Sequence, residues 1–344
     1  MLINYDSQGT ALIAADSPKE MLSVVTSSSG HHAVKINFSS LTILQECWRK
    51  TQYSLIRGLR NNLESPATLF GSAIHKALEV FYSADRTERK EPKDYADKML
   101  MIGSGHWNED WADNLLLTAA HEFVLKAAPL KALPDQNKRS LATGVWMLQH
   151  YFKKYLTDPY VIVHDSQGPI VERRFTMRIH EEANLSVDLF GTIDFVLKNE
   201  ATGEILPGDH KTTSMLGTPF YQRLNPNHQY TAYTWAANEV LGLQTESFLV
   251  NALQVKEMPK TARGTPPDFA RQITTRTKED FAELKSAILT SVRELLRRQQ
   301  ANEFPMTAPG PCSNYGGCQF LDICSAPAQL RENIISAKFK EALK

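Results

Sequence analysis

The chain has little cysteine, no excess of charge of either sign and no long apolar run, and each shortage removes a class of protein. Four cysteines in 344 residues are too few for a disulfide scaffold, so they stand as free thiols or metal ligands. Lys+Arg and Asp+Glu balance at 38 each, so the chain as a whole lacks the polycationic signature of many nucleic-acid binders. A local basic groove beside a local acidic site would cancel in that sum. No stretch approaches the roughly 18 to 20 uninterrupted apolar residues of a membrane span. Nor do the first 30 residues contain a basic segment followed by an apolar one, so a cytoplasmic protein without membrane contact is expected. There is no internal repeat, and no G-x-x-x-x-G-K-[ST] loop that would make the chain a P-loop motor.

What is present is a globular composition, 42% hydrophobic. It suits one large α/β domain or a core with a helical insertion. Residues 1–36, rich in Ser, Thr, Gly and Ala, read as an appended arm. From Asn37 onward Phe38, Leu41, Leu44 and Trp48 recur at helical spacing behind Ser39 and Ser40 as candidate caps, which starts a first core helix that includes Cys47. Thr68 to Tyr82 is a strongly amphipathic helix carrying His75 and Glu79 one turn apart. Residues 85–160, broken at Pro129 and Pro134, read as a helical insertion. Strand alternation follows at Tyr160–Val163, Ile170–Ile179, Leu185–Lys198 and Ile205–Asp209, with a turn over Asn199–Glu204. A helix is expected over 226–241, strands over 246–256 and 268–276, and a long helix from Lys278 to Gln300.

The segment Gly191 to Ser214 reads as two strands, each delivering a carboxylate: Asp194 within one, Asp209 closing the next. Residues i and i+2 of a strand share a face, so Lys211 points with Asp209, while His210 turns away and is not a general base. Two converging carboxylates repel unless a cation neutralises them. A hard divalent ion, Mg²⁺ or Mn²⁺, fits an oxygen-rich site of this kind. Beside a phosphate, a lysine can orient water or stabilise developing charge, which is phosphodiester-hydrolysis chemistry. The bland alternative is a strand-end aspartate with a solvated lysine.

The cysteines lie at two places, Cys47 and then Cys312, Cys318 and Cys324. Such a set suits a [4Fe–4S] cluster or a Zn²⁺ site, and the absence of C-x2-C knuckles favours the cluster over zinc. Four buried thiols are the alternative.

In order along the chain, Gly71-Ser72-Ala73-Ile74-His75, Gly191-Thr192-Ile193-Asp194, Asp209-His210-Lys211 and Gln229-Tyr230-Thr231-Ala232-Tyr233 resemble the G-x-x-x-H, G-x-I-D, (D/E)-x-K and Q-x-x-x-Y motifs of the PD-(D/E)XK nuclease superfamily. The likeness is to its RecB/Cas4-like branch, which includes phage exonucleases. Pro207 does not adjoin the first acid, which is Asp194. The resemblance, which covers roughly Asn37 to Cys324, implies a restriction-endonuclease-like α/β core, a mixed sheet flanked by helices with a helical insertion, and a single nuclease domain is expected over 37–344. It implies that His75, Asp194, Asp209 and the His210 backbone carbonyl bind the metal, that Lys211 assists the water, and that Gln229 and Tyr233 orient the site. Glu79 and Glu172 are outer-shell or second-metal candidates. One cysteine before the core and three after it match the branch's iron–sulfur layout, although C-x5-C-x5-C departs from the usual C-x2-C-x5-C, and region 305–325 is expected to pack with Cys47.

The activity implied is a sequence-nonspecific DNA exonuclease acting on ends or single strands in repair, recombination or phage DNA processing, within a bacterial or phage-infected cell. A separate helicase or recombination protein is the implied partner. Alternatives are a non-catalytic DNA-binding or recombination-accessory protein of the same fold, and a zinc-stabilised structural protein. Candidate phosphate contacts are Arg57, Arg60, Lys256, Lys260, Arg263, Arg271 and Arg276, with Trp48, Arg49 and Lys50 near the DNA entrance.

Overall fold

The computed structural model describes residues 21–61, 65–84, 109–132, 137–156, 158–259, 265–313 and 317–341, with two short strands at 4–5 and 11–12. Its centre is an eight-stranded mixed sheet built from β1 (Leu22–Thr26), β2 (His32–Ile36), β3 (Tyr160–Ile162), β4 (Val171–Glu182), β5 (Leu185–Asn199), β6 (Ile205–Thr213), β7 (Ser247–Gln254) and β8 (Phe269–Thr275). The main order is β8-β7-β6-β5-β2-β1, with β3 and β4 also pairing β5. The β6/β7 and β5/β2 pairs are parallel, and β5/β6 is an antiparallel hairpin. A mixed sheet flanked by helices is the architecture expected.

Residues 22–36 correct the reading of an appended arm. Leu22–Thr26 and His32–Ile36 form a hairpin whose second strand pairs with the middle of the sheet, and Val24, Val34 and Ile36 are buried. The run Ser27 to Gly30 is its turn, closed by Gly30 N–H to the Ser27 carbonyl.

Helices α1 (Phe38–Glu46), α2 (Pro66–Ser83), α3 (Glu109–Ala127), α4 (Leu141–Tyr155), α5 (His228–Leu241) and α6 (Lys278–Ala301) cover the two faces. The cap of α1 is Asn37, whose side chain accepts from Ser40 N–H; the Ser40 hydroxyl instead reaches the Met21 carbonyl. On one face α2, α3 and α4 pack through Phe70, Phe81, Phe123 and Tyr151 against Phe195, Leu197, Leu206 and Leu249 of the sheet. The helices of the insertion therefore belong to the main core. On the other face Leu41, Leu44, Ala236, Ile288 and Leu295 of α1, α5 and α6 pack against Val187, Leu189, Ile193 and Val196. Among the described residues no helix is long and apolar enough to cross a membrane.

The clusters show where β5 is irregular. Ile193 and Phe195 should share a face, yet they lie in cores on opposite sides of the sheet. Between them is Asp194, which also lies between the stretch paired to β2, ending at Leu189, and the stretch paired to β6, beginning at Phe195.

Candidate active site

Asp194 is held in this break by groups from two directions. His75, on α2, sets Nδ1 3.2 Å from Asp194 Oδ2, and the same oxygen accepts the backbone N–H of His210 at 2.7 Å. Burial alone would push the Asp194 carboxyl up, but the His75 charge and these hydrogen bonds outweigh it and hold it near 2. Burial likewise works against the His75 imidazolium, and Asp194 prevails, raising it to about 9.

Asp209 and Lys211 project from β6 together, as the alternation requires. Lys211 Nζ lies 2.6 Å from Asp209 Oδ2, and Gln229 of α5 bridges the two, accepting from Lys211 at 3.2 Å and donating to Asp209 Oδ1 at 3.3 Å. Among the described residues Lys211 is the one polar partner of that buried oxygen. Burial raises the Asp209 carboxyl to about 6, against the pull of Lys211. Tyr233, one turn after Gln229 and bonded to it, packs edge-on against Phe175 with ring centroids 5.8 Å apart. Burial pushes its hydroxyl above the ordinary range.

Glu172 completes the set. Ligand atoms of His75, Glu172 and Asp194 all lie within 4.8 Å of one another. Its backbone is left-handed, φ 47°, a conformation that costs a side-chain-bearing residue about 1 kcal/mol or more. Burial, then Asp194, raises its carboxyl to about 7. Glu79 is committed to Lys76 at 2.9 Å and stays outside this group. One imidazole and three crowded carboxylates are a donor set that fits a hard divalent cation.

Two motif glycines permit the approach of the helices. A Cβ on Gly71 would meet Thr212 Oγ1 at 3.2 Å, so α2 sits directly on β6. A Cβ on Gly191 would come within 2.9 Å of the Phe175 ring and 3.1 Å of Tyr233.

His210 points away from the acids, as the alternation predicts. Its ring is buried against Phe195 and Tyr82, and Nδ1 meets Asn251 Nδ2 at 2.7 Å. Asn251 also donates to Tyr151 at 2.7 Å, Tyr151 bonds Tyr82 at 2.6 Å, and Arg271 donates to Tyr82 at 2.9 Å and pairs with Asp158. Burial holds the His210 imidazole well below its ordinary value, hence neutral. In the sequence this network has one visible sign, an asparagine within the apolar strand Phe248 to Leu253.

Several expected phosphate contacts are otherwise occupied. Arg271 is buried in the network just described, and Arg276 is buried with Nη2 on the Leu224 carbonyl at 2.6 Å. Arg57 forms a two-pronged pair with Glu332 at 2.7 and 2.9 Å, and Arg60 turns inward to the Ser54 carbonyl. Arg49 donates to the Phe304 carbonyl at 2.7 Å, Lys50 pairs with Glu46, and Trp48 lies beneath Arg298. Lys260 and Arg263 fall outside the described residues.

All four cysteines line one small cavity with Lys50, Met306 and Phe320. Cys47 is not inside a helix: its extended backbone breaks α1 from the turn Trp48–Thr51 and turns its sulfur toward Thr307, whose N–H lies 3.4 Å away. Among the described residues no three of the sulfurs lie within 4.8 Å of one another. A separate apolar cluster of Tyr53, Leu59, Phe320, Ile323, Ile335 and Phe339 joins the segment around residues 53–59 to residues 320–339 here.

A family model described as the PD-(D/E)XK nuclease superfamily matches residues 35–325, a span that includes every residue of the acidic site and all four cysteines. The chain belongs to that superfamily. No curated protein matches the chain.

Proposed function

We propose that the chain is a Mg²⁺- or Mn²⁺-dependent deoxyribonuclease, a sequence-nonspecific exonuclease acting on DNA ends or single strands. The observation that carries the reading is the meeting of His75, Glu172 and Asp194 with the Asp209–Lys211–Gln229 unit at the break in β5. His75, Asp194, Asp209 and the His210 carbonyl would hold the ion, with Glu172 as a further ligand. The ion, when bound, polarises the scissile phosphate and makes a nearby water more acidic. Lys211, steadied by Asp209 and Gln229, orients that water and offsets charge growing on the phosphate. Gln229 fixes where the ammonium sits, and Tyr233 fixes Gln229. The His210 ring is no base, since it faces the opposite core and lies in a closed hydrogen-bond network. An intact acid pair with its lysine argues against a non-catalytic DNA-binding protein.

The exonuclease mode, and a place in repair, recombination or phage DNA processing beside a separate motor or recombination protein, rest on the resemblance to the RecB/Cas4-like branch. The same branch supports a [4Fe–4S] cluster on Cys47, Cys312, Cys318 and Cys324. Zn²⁺ with bonds of about 2.3 Å would draw four thiolates to roughly 3.8 Å from one another, whereas a cluster spaces them wider.

The test is degradation of 5′- and 3′-labelled oligonucleotides. Wild type should shorten them only with Mg²⁺ or Mn²⁺, and Asp209→Ala and Lys211→Ala should not. Wild type as inert as Asp209→Ala on linear, single-stranded and circular DNA with either ion would end the enzyme reading. A colourless protein holding zinc would remove the cluster and leave the nuclease standing.

A further inference from the structure

We propose that Arg174 forms a phosphate-binding subsite for the nucleic-acid backbone, one same-face strand step beyond the carboxylates of the active site. The inference rests on the nuclease reading above.

Strand β4 carries three arginines near the site, and two are already engaged. Arg173 is gripped by Asp165 at 2.5 and 3.1 Å and by Gln167 at 3.2 Å. Arg178 pairs with Asp188 and Glu181. Arg174 is exposed and, among the described residues, pairs with no carboxylate.

Its direction follows from register. Arg174 lies opposite Thr192 in the antiparallel ladder, and directly opposed residues present their side chains on one face. Thr192 is two residues before Asp194 and Arg174 two after Glu172, which sets Arg174 about 6.8 Å along the strand from the acids. The alternate residues Phe175, Met177 and Ile179 are buried in the α5/α6 core, which leaves Arg174 the other face.

Arg174 stays open beside an acidic site for a structural reason. The Glu172 carboxylate, two residues before it on a left-handed backbone, is grouped with His75 and Asp194 and forms no ion pair with Arg174. The result is a two-part site. The carboxylates would hold a cation facing the scissile phosphate. One nucleotide repeat away the strand offers an uncommitted, planar double donor, the group that matches a phosphate's paired oxygens. Arg57, Arg60, Arg271 and Arg276 are engaged by other groups of the protein, which leaves Arg174 for this contact.

The experiment measures binding and cleavage separately. Anisotropy titrations of a fluorescein-labelled oligodeoxynucleotide, single-stranded and duplex, are run in Mg²⁺ on the Lys211→Ala full-length chain between about 50 and 200 mM KCl. Adding Arg174→Gln should raise Kd about tenfold at the lowest salt and flatten the slope of log K against log salt by about 0.7 to 0.9. Arg174→Lys should keep the slope. Arg178→Gln, whose charge is already neutralised, should leave both near the parent values. In the otherwise wild-type enzyme, Arg174→Gln should raise KM by a similar factor with kcat within about twofold. An unchanged Kd and slope in Arg174→Gln overturns the proposal, as does an equal loss in Arg178→Gln, which would make the effect one of net charge. If wild type cuts no DNA, the nuclease reading fails while the binding titrations still decide on Arg174; no binding to either DNA overturns both.

Discussion

Metal binding should expel protons, and the number can be worked from the site. In the metal-free protein the His75 imidazolium is stabilised by Asp194 at 3.2 Å and titrates near 9. A coordinating imidazole must be neutral, so at pH 7 an ion displaces close to one proton from His75. Glu172, near 7, gives up about half of one, and Asp209, near 6, about a tenth. The release at pH 7 is therefore between one and two protons per ion, and apparent affinity should climb about fiftyfold from pH 7 to pH 9 through His75 alone. Titration calorimetry with Mn²⁺ in buffers of different ionisation enthalpy reads the proton count directly, and His75→Ala should lower it by about one. The signs extend to stability. His75, Glu172 and Asp209 all have raised values, so each contributes stability that is full below its unfolded value and lost as pH rises through about 9, 7 and 6. Asp194 acts the other way, losing its contribution only as pH falls through about 2. The metal-free protein should thus weaken from mildly acidic to alkaline pH, and the Tm gained on adding Mn²⁺ should grow over the same range. A proton count of zero, or an affinity flat from about pH 6.5 to 9, would refute the pairing of His75 with Asp194 as a metal site.

Gln229→Leu removes the bridge between Lys211 and Asp209, and losing hydrogen bonds to two charged groups should lower kcat roughly 10- to 100-fold with DNA Kd unchanged, as read by single-turnover cleavage and anisotropy. Gly191→Ala drives a methyl against Phe175 and Tyr233 and should cost about 1 to 3 kcal/mol in denaturant unfolding; a value near zero would mean the α5 contact is loose. Glu172→Gly relieves the left-handed backbone and removes a carboxylate crowded by Asp194, so the metal-free protein should become more stable by about 1 kcal/mol while metal affinity falls. Unchanged Mn²⁺ affinity in that variant would exclude Glu172 from the ligand set.

Much of this was readable from residue order. Helix α2 announced itself through apolar residues four apart, and the β5/β6 hairpin through alternation on both sides of a glycine-containing turn. What failed, failed for identifiable reasons. The serine-rich turn at residues 27–30 gave its flanks the composition of a linker, although Leu22–Thr26 and His32–Ile36 have the β-branched, alternating character of strands. Arginine fates were unreadable because pairing is a tertiary matter: Arg271 and Arg174 look alike in sequence, yet one is enclosed by Tyr82 and Asp158 and the other is exposed. Glu172 was visible as a carboxylate near the core, but nothing in its neighbours signals a left-handed backbone, since glutamate rarely adopts one.

The break in β5 explains why the acids can be both buried and available. In a continuous strand every inward residue faces one packed core, and a carboxylate there would stay protonated or destabilise the fold. Where β5 leaves β2 and takes up β6, Asp194 is freed from that choice: Ile193 fills the core beneath α5 and α6, Phe195 the core beneath α2 and α4, and the residue between belongs to neither. At this irregularity groups from both helical layers reach the acids, His75 meeting Asp194 and Gln229 meeting Asp209. Alternation in the sequence cannot reveal this, because both flanking residues are apolar whichever way they face. The polar residue between them is the only trace, and it gains meaning once the strand's change of partners is known.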